Sequence, residues 1–467
     1  MRQLKAGLAL ITLATVCGCG RTTELGSDLD AGSGAKGSGA SGGTGTGASA
    51  GAGGGEEAVG TRFWEDTESN AACPTAGRPD KSQRPAETGG ADVDTFFVVT
   101  DWMDLGSGGY PDPSQIDETF WKQRGFNLDR SCNAASWPDG ALADSQLNAC
   151  PALKQKACKN PFQNVFDGDY CRDNAIGSLF AIASLSPIVG EPFRFTGADF
   201  NCAIHRGSMG IVFKISGYNG QPNDSSVRVD VYSSTGVTQP ANWNCRNGDS
   251  GAYPLDPIWT QQAPQPLTKQ WQFSQRDIDP ATPPTDTVAN SKWADPGAYV
   301  RSGWLIAELP PQTELWFNGL NAHTPGMRFL VNNGVLAARL EQDKQSQLWT
   351  ISEGTLGGSI RPGDMITSFR EIGFCENLCD SYTTTVGYLN QTVDMLSASN
   401  DPVPDATCDA LSFGMAFTAN TITPGPIVDV PAPPDVSGGK CPSPRNPDIP
   451  PPGCICPPVG QTGECQF

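Results

Sequence analysis

The chain has 467 residues, with 50 acidic against 31 basic side chains and a net charge of −19. That balance argues against capture of nucleic acid or of anionic lipid, since both need a cationic surface. Sixteen cysteines suit an oxidising compartment in which they pair.

Residues 1–18 open with Arg2 and Lys5. An apolar run over 6–16 follows, broken only by threonines, and then small residues. A bilayer-spanning helix needs about 20 apolar residues, so this run reads as a secretory signal. Its end, Val16-Cys17-Gly18-Cys19, resembles the bacterial lipobox, and only Cys19 follows a small residue. The resemblance implies cleavage after Gly18 and lipidation of Cys19, with two or three acyl chains (palmitate-type). One chain would hold only marginally, at about 0.8 kcal/mol per buried CH₂. Gly20 follows where Asp retains enteric lipoproteins at the inner membrane. By the same resemblance the protein sits at the outer membrane, on its periplasmic or cell-surface face.

From Cys19 to position 61 the chain is mostly Gly, Ala, Ser and Thr. Such a segment cannot offset its ordering entropy. About 40 flexible residues span roughly 35 Å, so 19–61 is a tether. The folded body is expected over 62–430. Residues 431–467 form a Pro/Cys-rich tail with few core residues.

Within the body, "TFFVVTDW" near Thr95 reads as an early strand. Asn174 caps a helix whose apolar positions are Ile176, Leu179, Phe180 and Ala183. Ile211, Phe213 and Ile215 alternate with Val212 and Lys214. Val227, Val229 and Val231 alternate with Arg228, Asp230 and Tyr232. The turn-rich "GYNGQPND" between them makes a hairpin with one buried face. "YVRSGWLIAELP", "MRFLVNNGVLAARLEQ" and "SQLWTISEGTL" repeat the pattern, and in "DALSFGMAFTAN" Leu411, Phe413, Met415 and Phe417 line one side. Tyr382, Val386, Leu389, Val393 and Leu396 give an amphipathic helix over 376–397. Many strands and few helices predict a mainly β protein: an antiparallel β-sandwich, jelly-roll or lectin-like, with peripheral helices and disulfides.

Without Cys17 and Cys19, fourteen cysteines remain. They fall as Cys73, Cys132, Cys150, Cys158 and Cys171; Cys202 and Cys245; Cys375, Cys379 and Cys408; and Cys441, Cys454, Cys456 and Cys465. The groups of five and three are odd, so full pairing requires an exchange between groups. A bridge from the first group to the Cys375–Cys408 group is expected, with Cys202–Cys245 the simplest internal pair. Cys375 and Cys379 alone are two ligands where structural zinc wants four.

Asp167, Asp169 and Asp173, with Asn174 next in sequence, suggest calcium, which takes six to eight oxygens. The EF-hand spacing fails, because its third ligand position falls on Cys171 and its twelfth on Ser178. The other reading is a turn leading into the helix cap. Gly248-Asp249-Ser250-Gly251 matches the flank of a protease serine, but neither His205 nor His323 stands in a matching motif. Sandwich glucanases place Glu-x-Asp-x-Glu on one strand; the nearest fragment is Glu341-Gln342-Asp343, in a charged turn. Trp243, Tyr253 and Trp259 sit in a polar loop among Asn and Asp, where aromatic rings can stack on sugars or plug a sandwich end. Trp304, Trp316 and Trp349 fall on or beside strands and read as core.

"GFNLDRSC", "DGDYCRDNAIGSLFA", "FKISGYNGQPNDSSVRVDVYSS" and "CDALSFGMAFTA" together resemble a family of uncharacterised myxobacterial lipoproteins with a lipobox, a Gly/Ser tether and a β-rich body. The resemblance implies a Gram-negative outer envelope and supplies no activity. The leading expectation is a module that binds a glycan or an envelope protein and is held to the membrane by its lipid. A surface carbohydrate-active hydrolase and a purely structural envelope protein are the alternatives.

Overall fold

The period-two runs become strands whose apolar sets face one interior. The computed structural model describes residues 59, 62–65, 75–86, 89–108, 117, 119–132, 157–160, 167–185, 197–241, 269–281, 289–317, 326–375 and 380–437. All belong to the unit Glu56–Phe467. The strands are β1 (Phe96–Asp104), β2 (Gly210–Ser216), β3 (Asp224–Val237), β4 (Gln270–Ser274), β5 (Ala294–Arg301), β6 (Trp304–Glu308), β7 (Thr313–Phe317), β8 (Met327–Gln342), β9 (Trp349–Ile360), β10 (Leu411–Thr421) and β11 (Thr423–Val428). The α-helices are α1 (Ala175–Leu185), α2 (Gly197–His205), α3 (Pro362–Glu371) and α4 (Asp380–Gln391).

The strands do not form two facing sheets. Their order runs β3-β2-β1-β10-β9-β8-β6-β5, and β5 pairs back onto β3 through Val227 with Ala298 and Asp224 with Val300. The result is a closed eight-stranded antiparallel barrel, with β4, β7 and β11 outside the ring. This corrects the sandwich expectation. Alternation shows that each strand buries one face, and sandwich and barrel satisfy that equally. Closure is decided by the β3–β5 pairing and by long strands that bend. β8 has 16 residues and shifts register between Asn332 and Val335 and between Arg339 and Leu340. Such bulges add the twist that a closing sheet needs.

Phe213, Val229, Val300, Leu336, Phe413 and Phe417 are buried in the main core, and Phe213 stacks on Phe417 at 5.2 Å. An eight-stranded barrel is just wide enough to be filled by side chains. One mouth is closed by helices. Phe180 of α1, Phe200 of α2, Phe317 of β7, and Phe329 and Phe413 of the wall form a continuous aromatic chain with centroid spacings of 5.1–6.3 Å. At the other mouth Trp349 contacts Phe96 and Tyr218. Two outer patches are covered as well. β4 packs Trp271 and Phe273 against Phe97, Val99 and Val212; Trp64 packs on Trp304 beside Phe126 and Leu128. Arg228, Arg339, Glu341 and Glu353 stand on the outer wall. The apolar interior contrasts with the polar lumen of a membrane-spanning barrel. No helix among the described residues is long and apolar enough to cross a membrane.

Asn174 caps α1 as read, its Oδ1 accepting the N–H of Gly177 at 2.9 Å. The helix expected over 376–397 is described over Asp380–Gln391 and ends at Gln391 rather than 397. Asp394 is drawn instead to Ser412, whose N–H and O–H it accepts, and Met395 bridges to Ala410. Cys132 pairs with Cys171, and Cys158 with Cys408, the latter joining the first and third cysteine groups. Cys202 and Cys375 are disulfide-bonded too. Cys73, Cys150, Cys245, Cys379, Cys441, Cys454, Cys456 and Cys465 lie outside the described residues, as do the signal, Cys19 and nearly all of the tether.

Candidate functional site

Two irregularities meet on the outer wall. β1 shifts register between Thr100 and Trp102, and β10 shifts between Phe417 and Ala419 against β9. Bulges re-aim side chains and often border binding sites. At this one, Asp101 turns to accept from Thr418 Oγ1 at 2.5 Å and from Asn420 Nδ2 at 2.6 Å, while its carbonyl meets His205 Nε2 at 2.8 Å. Burial raises the pKa of the Asp101 carboxyl, and the Thr418 hydrogen bond opposes the rise. Trp102, the next residue, lines a cleft.

The cleft measures about 180 Å³. Drug-sized ligands occupy pockets from about 300 Å³ upward, so this one suits a single ring or a chain end. Arg124 forms one wall. Its Nε donates to the buried Asp104 at 2.8 Å, and its guanidinium lies 5.8 Å from the Trp102 ring centroid and 5.2 Å from that of Phe120. Arg62 forms another: it donates to both oxygens of Glu65, pairs with Glu353, and lies 5.5 Å from the Trp304 ring. Arg172 reaches Glu65 at 3.3 Å. Burial lowers the Arg172 pKa, with Glu65 opposing and Arg62 adding to the shift. The second oxygen of Glu353, the terminal nitrogens of Arg124, the Gln123 amide, and the hydroxyls of Ser352 and Thr355 make no side-chain hydrogen bond among the described residues. The cleft therefore offers an indole beside both donors and acceptors.

Arg124 is positioned by a backbone contact. Gly125 has φ +93°, and a Cβ on Gly414 would lie 2.7 Å from the Gly125 Cα. Gly414→Ala should therefore push the 124–126 segment off β10. The expected cost is about 1–3 kcal/mol in chemical denaturation, typical of overpacking. An unchanged midpoint would show that the segment yields freely.

A larger, shallower groove of about 450 Å³ is lined by Asp92, Ser216, Asp224, Ser226 and Arg228. It has no aromatic wall. Asp224 is engaged by the N–H groups of Asn219 and Ser226, and Arg228 by Asp230. It offers less to a ligand than the Trp102 cleft.

Trp243, Tyr253, Trp259, Ser250 and His323 lie outside the described residues. His205 is buried at the end of α2 against the Asp101 carbonyl. Asp173 is buried, and its Oδ2 accepts the N–H groups of Leu128 and Asp129 at 2.6 and 3.2 Å; Asp167 is buried, and Asp169 starts a short 3₁₀ turn, Asp169–Cys171. Among the described residues no three His, Cys, Asp or Glu side chains are grouped as a metal requires. Asp343 accepts from the N–H groups of Gln345 and Ser346, the charged turn expected there. Trp304 and Trp316 are buried, and Trp349 packs on the core.

Sequence reading placed Trp102 in a strand and passed over the cleft. One signal could have found it: the alternation of Phe96 and Val98 breaks at "TDWMD", where acids flank a tryptophan. Comparison with family models, with curated proteins and with solved structures returned no match.

Proposed function

We propose that the chain is a lipid-anchored outer-envelope protein whose barrel binds glycan through the Trp102 cleft. The lipobox-like Cys19 and the tether support the anchor; the acidic charge and the cysteine pairing support an exported body. The observation that carries the binding role is the cleft itself, which combines an indole face, guanidinium donors, a carboxylate acceptor, an amide and hydroxyls. Aromatic faces stack on sugar C–H surfaces, while planar polar groups take the hydroxyls. The geometry favours binding over hydrolysis. Arg62 holds both cleft carboxylates, Glu65 and Glu353, as ion-pair partners, whereas hydrolysis needs one of them to carry and donate a proton.

A glycan array probed with the full chain, exported through an oxidising compartment and held in mild detergent, tests this. Saturable binding should fall about tenfold or more in Trp102→Ala, the usual cost of an aromatic anchor. Absence of binding by folded protein, or binding unaffected by Trp102→Ala, would contradict the reading.

A further inference from the structure

We infer that the cleft selects uncharged glycans, and that the ion pair between Arg62 and Glu353 sets this selectivity. The inference rests on the glycan-binding reading above and deepens it.

Every cleft guanidinium already has a carboxylate. Arg62 pairs with Glu65 and Glu353, Arg172 with Glu65, and Arg124 with Asp104. Three cations meet three anions. A uronate or sialyl carboxylate would have to displace one of these acids from its arginine, or stand beside it as a further anion sharing the same cation, in a chain of net charge −19. A cationic amino sugar would have to displace a guanidinium from its acid, or stand as a further cation beside the three arginines. Stranding a partly buried charge in this way is costly. A neutral hydroxyl requires neither exchange. It can use the remaining nitrogens of Arg124, the Gln123 amide and the second oxygen of Glu353 while each ion pair stays whole.

The pairs differ in how firmly they are held. Glu65 and Arg172 are each 11 % exposed at their side chains, whereas Arg62 and Glu353 are 33 % and 41 % exposed. The second pair faces solvent and is the one a ligand can reach. Removing the Glu353 charge would leave the Nη2 side of Arg62 without its carboxylate, and so able to take one from an acidic sugar in bidentate fashion.

The test sets neutral oligomers (maltohexaose, cellohexaose, chitohexaose) against acidic ones (oligogalacturonate, oligoalginate, hyaluronan fragments). It uses the full chain, Glu353→Gln, Glu353→Asp and Trp102→Ala. The full chain should prefer a neutral oligomer by about tenfold or more, with affinity unchanged between roughly 0.05 and 0.5 M salt. Glu353→Gln should gain about tenfold for an acidic oligomer, in a salt-sensitive manner, while Glu353→Asp keeps the neutral preference. Salt-sensitive preference of the full chain for acidic oligomers, still lost in Trp102→Ala, would overturn this inference and leave glycan binding standing. An unshifted preference in Glu353→Gln would overturn the role of the pair. No binding to either class would remove both readings together.

Discussion

The folded chain should become more stable as the pH falls from about 8 to about 5, the opposite of ordinary acid denaturation. Its cause is a set of buried carboxyls that form no ion pair among the described residues. Asp394 accepts from the N–H and O–H of Ser412 and lies near Asp129 and Asp173; burial above all raises its pKa to about 7, against an ordinary 3.8. Asp173 is pushed well above its ordinary value by burial and then by the charges of Asp129, Asp167 and Asp394. Asp277, between the Ser233 N–H and the Trp293 indole N–H, is raised by burial to about 7. For an acid raised on folding, the native state binds the proton more tightly than the unfolded chain does. Its stabilising contribution is complete below about pH 3.8 and is lost as pH rises through about 7. At pH 5 Asp394 and Asp277 each contribute on the order of 2 kcal/mol relative to pH 8. Burial raises the pKa of Asp80, but the hydrogen bonds from the Ser82 O–H and N–H and the charges of Arg130 and Arg78 together outweigh it and lower the pKa, so the contribution of Asp80 is lost only as pH falls below about 4. Calorimetric melting of the full chain at several pH values reads this directly. The melting temperature should be higher near pH 5 than near pH 8, and the slope should flatten in Asp277→Asn/Asp394→Asn. A profile that rises toward pH 8 would refute the account of these buried acids.

Removing the Cys158–Cys408 bridge by double alanine substitution should cost about 2–5 kcal/mol in urea unfolding. The bond closes a loop of 250 residues. It fastens a segment already laid beside its partner by backbone hydrogen bonds: Lys159 N–H to the Ala406 carbonyl at 2.7 Å and Cys408 N–H to the Lys159 carbonyl at 3.0 Å. The Cys132–Cys171 bridge closes only 39 residues. Loop entropy grows with the logarithm of loop length, so its removal should cost about 1–2 kcal/mol less. Equal losses, or a larger loss at Cys132–Cys171, would show that local packing rather than long-range closure governs both bridges.

What sequence could reveal here follows from range. Alternation assigned Ile211, Phe213 and Ile215, Val227 to Val231, and Leu411 to Phe417 to one buried face, and those residues fill the barrel interior. The Asn174 cap depends on neighbours three positions apart and was equally legible. Closure was not, because Val227 meets Ala298 across 71 residues and nothing local marks the pair. The helix over 376–397 was overdrawn for a related reason: Val393 is buried as its period requires, but the Asp394 carboxyl is claimed by Ser412, 18 residues on. The cleft was the least legible feature. Arg62, Trp102, Arg124, Arg172 and Glu353 come from five separate segments, brought to one place by the β1–β10–β9 pairing with its bulges, the Gly125–Gly414 contact and the ion pairs of the cleft.

Hydrogen exchange of the full chain, with and without the tightest-binding oligosaccharide from the array, tests the central claim most directly. Glycan held in the cleft should slow exchange at 62–65, 101–104, 123–125 and 352–355 and leave 242–259 unchanged. Protection confined to 242–259, around Trp243, Tyr253 and Trp259, would place the ligand on the aromatic loop and contradict the assignment to the Trp102 cleft.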